Sequence, residues 1–328
     1  MTLRTMTNGI NRGSVNRPMY MDNYQAFLPG GCQFYAPLFD SDAKGYGILA
    51  NGTGIATPLF LVAGDNTITN TQAGTIIVTL PLGRTGTATS GTATVTGSPQ
   101  SLVAGDNTVT ITGTGTITVN VADKFVERSP NAIVCTNSGA LWLPQGRSLD
   151  GVDDKIVAAW QGFPTTAVTV SCWVYIDPLA ANMDGVAKGI WESLNSALDG
   201  CFLLWNDNVG QGRTNALVFR FYGQTGYSPA TCFLDNIITV AGFYYITCRY
   251  DKDEAGAEQL DLRLNGVQKA TSNFTEAITT PDTNFTIGAR ASGAANMQGT
   301  IGELAIWNRK ISVATDMSNY LATKWRYQ

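Results

Sequence analysis

The chain has 328 residues, a formal net charge of −4 and no histidine, and only 14% of its residues are charged. This length allows two domains, and the negative balance gives no basic footprint for nucleic acid. Without histidine, the chain cannot form Ser-His-Asp or Cys-His nucleophile systems. The usual Cys/His zinc sites are excluded for the same reason. No apolar run is long enough to span a membrane, and residues 1–10 lack the apolar core of a signal peptide. We therefore expect synthesis in a cytosol, with no membrane and no nucleic acid as partner.

The six cysteines occur without a CxxC pair. Cys172 and Cys248 lie inside apolar strand patterns, where cysteine behaves as a small hydrophobic residue. We expect reduced thiols in the core; a disulfide stays open as the alternative.

Residues 1–58 show neither a helical nor a strand period and contain scattered aromatic residues. Such a segment has too little periodic apolar surface for a core of its own. We interpret it as an extended arm that docks on neighbouring surfaces, with a disordered tail as the alternative.

Residues 59–124 are rich in threonine, nearly uncharged and internally repeated. The run LVAGDNTIT at Leu61–Thr69 returns as LVAGDNTVT at Leu102–Thr110, a period of 41 residues. Asp and Asn favour turns, and the alternating β-branched residues favour strands. The pattern predicts a small duplicated β-sandwich or barrel, each copy holding a strand, a GDN turn and two further strands. In composition, this stretch resembles the threonine-rich β segments of tailed-bacteriophage virion proteins.

Residues 125–328 contain strand patterns at regular spacing, which is typical of a two-sheet antiparallel sandwich. The run VTVSCWVYI at Val168–Ile176 alternates apolar residues on one face. The run LDLRLNGVQK at Leu260–Lys269 predicts a hairpin with an Asn-Gly turn. A short helix closes the chain: Ser312 is its predicted N-cap, and the sequence suggests one apolar stripe. The stripe residues are Val313, Met317, Tyr320, Leu321 and Trp325.

The run LDGVDDKIV at Leu149–Val157 resembles the opening motif of the laminin-G-like, concanavalin A-like jelly roll. The runs WVYIDP, YYITCRYD, LRLNGVQ, TIGAR and GTIGELAIWNRKIS follow in that family's order. The resemblance covers residues 147–327 and implies a jelly-roll sandwich closed by a C-terminal helix. With the Thr-rich β domain predicted before it, the expected fold is all-β. Because this fold hosts lectins, glycoside hydrolases and structural modules, the resemblance by itself does not assign a function.

Glycoside hydrolysis needs two carboxylates about 5–10 Å apart. The chain has no strand with the closely spaced acids that the enzymes of this fold share. Glu254 and Glu258 read as part of an exposed hairpin loop, and Glu303 as a structural acid. We therefore expect no catalytic residue and no enzymatic activity.

Binding residues are sought in loops and among exposed aromatic residues. Asp207 and Asn208, next to Asn206, and Asp184 offer oxygen ligands that suit Ca²⁺, although such residues more often form turns. The candidates for stacking on a sugar ring are Trp191, Tyr222 and Tyr227, although aromatic residues of a sandwich usually belong to its core. No cofactor is expected, with Ca²⁺ the only metal considered.

The opening motif carries three acids: Asp150, Asp153 and Asp154. In the resembled family, acids at this strand entry mostly fix the turn through side-chain-to-backbone hydrogen bonds. We expect that role here rather than a metal site.

Together these patterns predict a non-enzymatic structural protein of a tailed-phage particle, made in the host cytoplasm and located in the virion. It would be a capsid decoration or cement protein, or a subunit of a head or tail appendage. The N-terminal part would anchor it to other virion proteins and to copies of itself, and the lectin-like domain would be displayed. The alternative is a host-glycan-binding adhesin or lectin domain of a phage fibre.

Overall fold

The computed structural model confirms the all-β prediction, with 54% of the chain in strands and one short C-terminal helix. It describes residues 31–38, 49–53, 55, 59–61, 64–80, 85–180, 183, 186–195, 197, 199–223, 226–256, 258–290 and 295–328.

The described strands are numbered in chain order. The first ten are β1 (Cys32–Ala36), β2 (Leu49–Gly52), β3 (Leu59–Phe60), β4 (Gly64–Asn70), β5 (Gly74–Leu80), β6 (Gly86–Ser90), β7 (Thr94–Val95), β8 (Gln100–Leu102), β9 (Gly105–Thr112) and β10 (Gly115–Val121). The next eight are β11 (Lys124–Val126), β12 (Val134–Ser138), β13 (Leu141–Leu143), β14 (Gly146–Asp150), β15 (Lys155–Ala158), β16 (Ala167–Ile176), β17 (Ala187–Leu194) and β18 (Gly200–Asn206). The last seven are β19 (Ala216–Gly223), β20 (Gly226–Leu234), β21 (Gly242–Asp251), β22 (Leu260–Leu264), β23 (Val267–Ser272), β24 (Phe285–Ile287) and β25 (Gln298–Trp307). Helix α1 spans Val313–Thr323, and 3-10 turns occupy Val209–Gln211 and Lys324–Arg326.

The Thr-rich repeat folds into two sheets, ordered β3-β2-β5-β9-β7 and β4-β10-β6-β8. Strand β4 of the first copy pairs with β10 of the second, and β9 of the second copy pairs with β5 of the first. Each sheet thus joins strands of both copies, and their alternating Ile and Val residues form one separate core. The two GDN runs open β4 and β9 rather than forming free-standing turns. The Asn107 side chain bonds the backbone of Val103, which keeps the turn-forming role but moves it to the strand entry.

Two parts of the predicted arm, residues 32–36 and 49–52, are strands that pair with the two β units. Strand β1 pairs with β25, and Phe34 packs in the main core, stacked on Trp160 with ring centroids 5.8 Å apart. Strand β2 pairs with β5 of the Thr-rich unit. Residues 1–30 lie outside the described residues, so their docking stays a prediction.

The remaining strands form the jelly-roll sandwich. Its first sheet, here sheet I, runs β13-β14-β25-β16-β21-β22-β23, with β1 also on β25. The second, sheet II, runs β11-β12-β15-β24-β17-β18-β19-β20. The five alternate apolar residues predicted along β16 all lie in the core between the sheets. The predicted hairpin is also present, because β22 and β23 pair around Asn265 and Gly266, which both have the positive φ of a type I′ turn.

Helix α1 begins at the predicted N-cap, where Ser312 Oγ accepts a hydrogen bond from Thr315 N at 3.1 Å. The predicted apolar stripe is correct only in part, because Tyr320 stacks on Trp173 with ring centroids 5.8 Å apart whereas Val313, Leu321 and Trp325 are exposed. Asp316 and Thr323 are the buried residues of the helix, while Leu321 is 50% and Trp325 61% exposed. No helix within the described part of the chain is long and apolar enough to cross a membrane.

The six cysteines are unpaired, and five of them are buried. Burial raises the pKa of the Cys172 and Cys248 thiols above their usual value. The predicted core position is confirmed for these five, whereas Cys32 is only partly buried.

Candidate functional site

A row of five side chains crosses the outer face of sheet II. Cα pairing places Thr286 of β24 beside Glu192 of β17, Glu192 beside Phe202 of β18, Phe202 beside Arg220 of β19, and Arg220 beside Thr231 of β20. The next row, which contains Trp191, Leu203, Phe219 and Cys232, lies in the main core. Because neighbouring residues of a strand point to opposite faces, the Glu192 row points away from the sandwich interior.

Trp191 is fully buried, and its ring packs against Phe163, Phe219 and Phe285. It cannot stack on a sugar, so that assignment is corrected. A register shift between Gly189 and Trp191 puts both Ile190 and Trp191 into the core. Tyr222 is also buried, in a small apolar cluster with Phe202, and it has no open face for stacking.

Glu192 is a buried carboxylate with incomplete pairing. It is 1% exposed, and neither carboxylate oxygen has a hydrogen-bond partner among the described residues. The nearest cation, Arg290, places its Nε 3.7 Å from Glu192 Oε2, which is an ion pair but too long for a hydrogen bond. Burial raises the pKa of Glu192 to about 7, although Arg290 opposes the shift. Near neutral pH the Glu192 carboxyl group therefore gains or loses its proton while it is buried on sheet II.

Replacing Glu192 with glutamine is expected to stabilise the protein at pH 8 by on the order of 2 kcal/mol and to have little effect at pH 4. The folded-state pKa lies above the usual value, so the wild type loses stability as pH rises from about 4.5 through about 7. Glutamine has no charge to desolvate and escapes this loss. Thermal unfolding of both proteins between pH 4 and pH 8 measures the difference. If the two proteins differed in stability by the same amount at every pH, the raised pKa of Glu192 would be contradicted.

Two arginines lie over the Phe202 ring. The guanidinium carbon of Arg290 is 5.1 Å and that of Arg220 5.9 Å from the ring centroid. Arg220 Nε also donates a hydrogen bond to Thr231 Oγ1 at 3.2 Å. The flat ring thus holds both cations at the outer face of sheet II.

A polar cleft adjoins the Thr231 end of the row, where β20 of sheet II meets β23 of sheet I. Its volume is about 370 Å³, and it is open to solvent. The lining residues are Ala230, Thr231, Ser272, Asn273, Phe274, Thr275 and Glu276. Phe274 stacks inward on Phe221, so hydroxyl, amide and carboxylate groups dominate the accessible lining. These groups can exchange hydrogen bonds with a polyhydroxylated ligand.

The predicted loop ligands have local roles. Asp207 Oδ1 accepts a hydrogen bond from Asn215 N at 2.8 Å. Asn206 Oδ1 accepts one from Asn208 N at 2.9 Å, and the carbonyl of Asn208 closes a turn with Gln211 N. These bonds are those of turn formers, and a Ca²⁺ site at this loop stays the alternative hypothesis. Asp184 and the side chain of Tyr227 lie outside the described residues.

The acids of the opening motif lie close together, with a carboxylate oxygen of each within 4.8 Å of the others. Asp154 Oδ2 accepts a hydrogen bond from Asp150 N at 2.8 Å, and Asp150 Oδ1 accepts one from Val152 N at 2.8 Å. Asp153 is exposed beside them. The predicted turn-fixing role is confirmed for Asp150 and Asp154, whose motif carries the chain from β14 in sheet I to β15 in sheet II.

The sequence interpretation missed Glu192, Arg220 and Thr231. A usable signal existed for Glu192 and Arg220, because IWESL and VFRFY each contain a single charge inside a largely apolar strand. Such a charge must face outward or find a partner. The pairing of the two strands with β18 between them brings both charges to one face.

The chain was compared with family models, solved structures and curated proteins. The family model described as the concanavalin A-like lectin/glucanases superfamily matches residues 150–315. Among solved structures, the botulinum neurotoxin serotype D binding domain has 14% identity and a TM-score of 0.48, over 60% of this chain and 49% of that one. The serotype G binding domain, and the serotype D ligand-binding domain in complex with N-acetylneuraminic acid, each have 13% identity and a TM-score of 0.48, over 60% of this chain and 48% of theirs. The chain thus spans about half the length of these structures. No curated protein matches the sequence.

Proposed function

The chain belongs to the concanavalin A-like lectin/glucanase superfamily, and we propose that its jelly roll is a non-enzymatic carbohydrate-binding module. The observation that carries the proposal is the open polar cleft between β20 and β23. Sugar hydroxyls need both donors and acceptors, and Thr231, Asn273 and Thr275 supply hydroxyl and amide groups. Glu276 adds a carboxylate acceptor at the same cleft.

Its non-enzymatic character rests on the placement of the acids. Glycosidases need two carboxylates across the scissile bond, whereas Glu192 is the one acid of its five-residue row. Glu254 lies in the loop between β21 and β22 and pairs with Lys310, whose Nζ also donates to the Glu258 carbonyl. Glu303 accepts a hydrogen bond from the Tyr35 hydroxyl at 3.0 Å, inside the fold. These acids serve the fold rather than a reaction.

A glycan array probed with the purified full chain tests binding. The variants Asn273→Ala and Thr275→Ala remove exposed cleft groups and are expected to weaken binding about thirtyfold together, at about 1 kcal/mol for each lost hydrogen bond. Thr271→Ala is the matched control, because Thr271 is exposed on β23 but does not line the cleft. An array without any signal, or cleft variants that bind like the wild type, would contradict the proposal.

We further propose that this module is displayed by a structural protein of a tailed-phage particle, as a decoration or cement protein or an appendage subunit. The support is the resemblance of the Thr-rich segment to virion β segments, together with its low charge. Uncharged Thr/Val strands pair readily at exposed edges, which suits anchoring to other virion proteins and to copies of the chain. Mass spectrometry of purified particles and immunogold labelling would locate the protein; its absence from particles would overturn this part.

A further inference from the structure

The charges over Phe202 are not balanced. Arg290 and Arg220 bring two positive charges to this ring, and Glu192 is the acid that forms an ion pair with Arg290. Arg220 forms no ion pair with any carboxylate of the described residues; its side chain bonds Thr231 and faces the ring. This cationic spot lies on a chain with a net charge of −4.

Arg213 and Phe233 form a second arginine–phenylalanine pair, in which an acid neutralises the arginine charge. Arg213 lies over the Phe233 ring at 3.6 Å, and its Nη1 is 3.6 Å from Asp235 Oδ2. Arg213 therefore has the same ring contact together with its own acid. Arg220 has the ring contact and a hydroxyl, which leaves its charge available to a ligand.

We propose that Arg220 and Arg290 bind the carboxylate of an acidic sugar residue in the glycan, with the rest of the saccharide lying along the Thr231 cleft. This inference rests on the carbohydrate-binding function proposed above and specifies its ligand class. A guanidinium presents parallel N–H donors that match a carboxylate in a bidentate contact. Both guanidinium groups contact the Phe202 ring. Thr231 connects Arg220 to the cleft, because it accepts the Arg220 hydrogen bond and also lines the cleft.

Both arginines remain reachable although the ring beneath them is buried. The Arg290 side chain is 30% exposed, and Arg220 is half-buried, whereas Phe202 is 1% exposed. An anion would thus meet the two cations before the aromatic ring. Glu192 forms an ion pair with Arg290 and not with Arg220. Arg220 is therefore the residue whose charge an anionic ligand would neutralise.

Calorimetric titration of the full chain with soluble polysaccharides tests the proposal. The probes are polygalacturonate, alginate and hyaluronate, their carboxyl-reduced counterparts, and dextran sulfate. We expect at least one uronate polymer to bind, and to bind at least tenfold more weakly after carboxyl reduction. We also expect Arg220→Gln to lower its affinity at least tenfold and Arg220→Lys by less, because lysine keeps the charge without the fork. Arg213→Gln is the matched control and is expected to bind like the wild type.

The outcomes separate the two proposals. Equal binding of native and carboxyl-reduced polymers, or of wild type and Arg220→Gln, overturns the acidic-sugar inference and leaves carbohydrate binding standing. Binding of dextran sulfate in preference to every uronate shows a general anion site and also overturns it. A glycan array and a titration series that both lack any saccharide signal remove both proposals. Thermal unfolding of each variant confirms that it is folded before titration.

Discussion

Replacing Asp316 with alanine is expected to lower the free energy of unfolding by about 3–5 kcal/mol. Asp316 is a fully buried residue of α1. Its carboxylate accepts hydrogen bonds from Thr247 Oγ1 and Arg263 Nε of sheet I, each at 2.7 Å. Burial raises the pKa of Asp316 in spite of Arg263, so the pair itself adds little net stability. The expected loss comes from the Arg263 cation, which alanine would leave buried with the Gly266 carbonyl as hydrogen-bond acceptor and with Asp261, at 3.5 Å, as its remaining acid among the described residues.

Urea unfolding at pH 7, followed by tryptophan fluorescence, measures this change. The control is Asp253→Ala, because the Asp253 side chain is 76% exposed and its pairing with Lys252 is worth less than about 1 kcal/mol. The double variant Asp316→Leu with Arg263→Leu is expected to recover part of the loss, since no unpaired cation remains. If Asp316→Ala and Asp253→Ala unfold at the same urea concentration, the buried pair does not hold the helix in place.

Local alternation was enough to predict some of the jelly-roll strands, but not β17 and β18. Along β16, the period of two in VTVSCWVYI assigns the core face directly, because no bulge interrupts its pairing with β21. The Asn265-Gly266 turn was predictable for a similar local reason, since both residues tolerate positive φ. Such signals depend on a few neighbouring residues and on no distant partner.

The orientation of α1 could not be predicted in this way. Apolar spacing alone favours burying Val313, Leu321 and Trp325, but the outer face of sheet I presents Thr247 and Arg263 at the place where the helix lies. Those groups require polar partners, and Asp316 supplies one. The preference is set by residues about 50–70 positions away in the chain, so it becomes visible only with the sheet assembled.

The same limit applies to the candidate site. Glu192 faces outward because the irregularity between Gly189 and Trp191 resets the alternation of β17. Arg220 and Thr231 join it through the register of β19 and β20 with their neighbours. Likewise, β1 is a strand because it meets β25, more than 260 residues later. The sequence alone reveals the unusual charges, whereas which of them lie together in the fold depends on the pairing of distant strands.

Replacing Trp173 with alanine is expected to lower the free energy of unfolding by about 3–5 kcal/mol and to detach the C-terminal segment from sheet I. Trp173 is fully buried on the outer side of the sheet and stacks on Tyr327 with ring centroids 4.6 Å apart. Its Nε1 donates a hydrogen bond to Thr323 Oγ1 at 2.7 Å, at the end of α1. The indole thus contacts both the helix end and the residues that follow it, and its loss leaves a cavity beneath them.

Trp325→Ala is the matched control, since this tryptophan is 61% exposed and is expected to change stability by less than about 1 kcal/mol. Hydrogen exchange at residues 313–327 distinguishes local detachment from uniform destabilisation: selective loss of protection there is expected for Trp173→Ala. Unchanged protection of this segment would mean that other contacts hold α1 on the sheet.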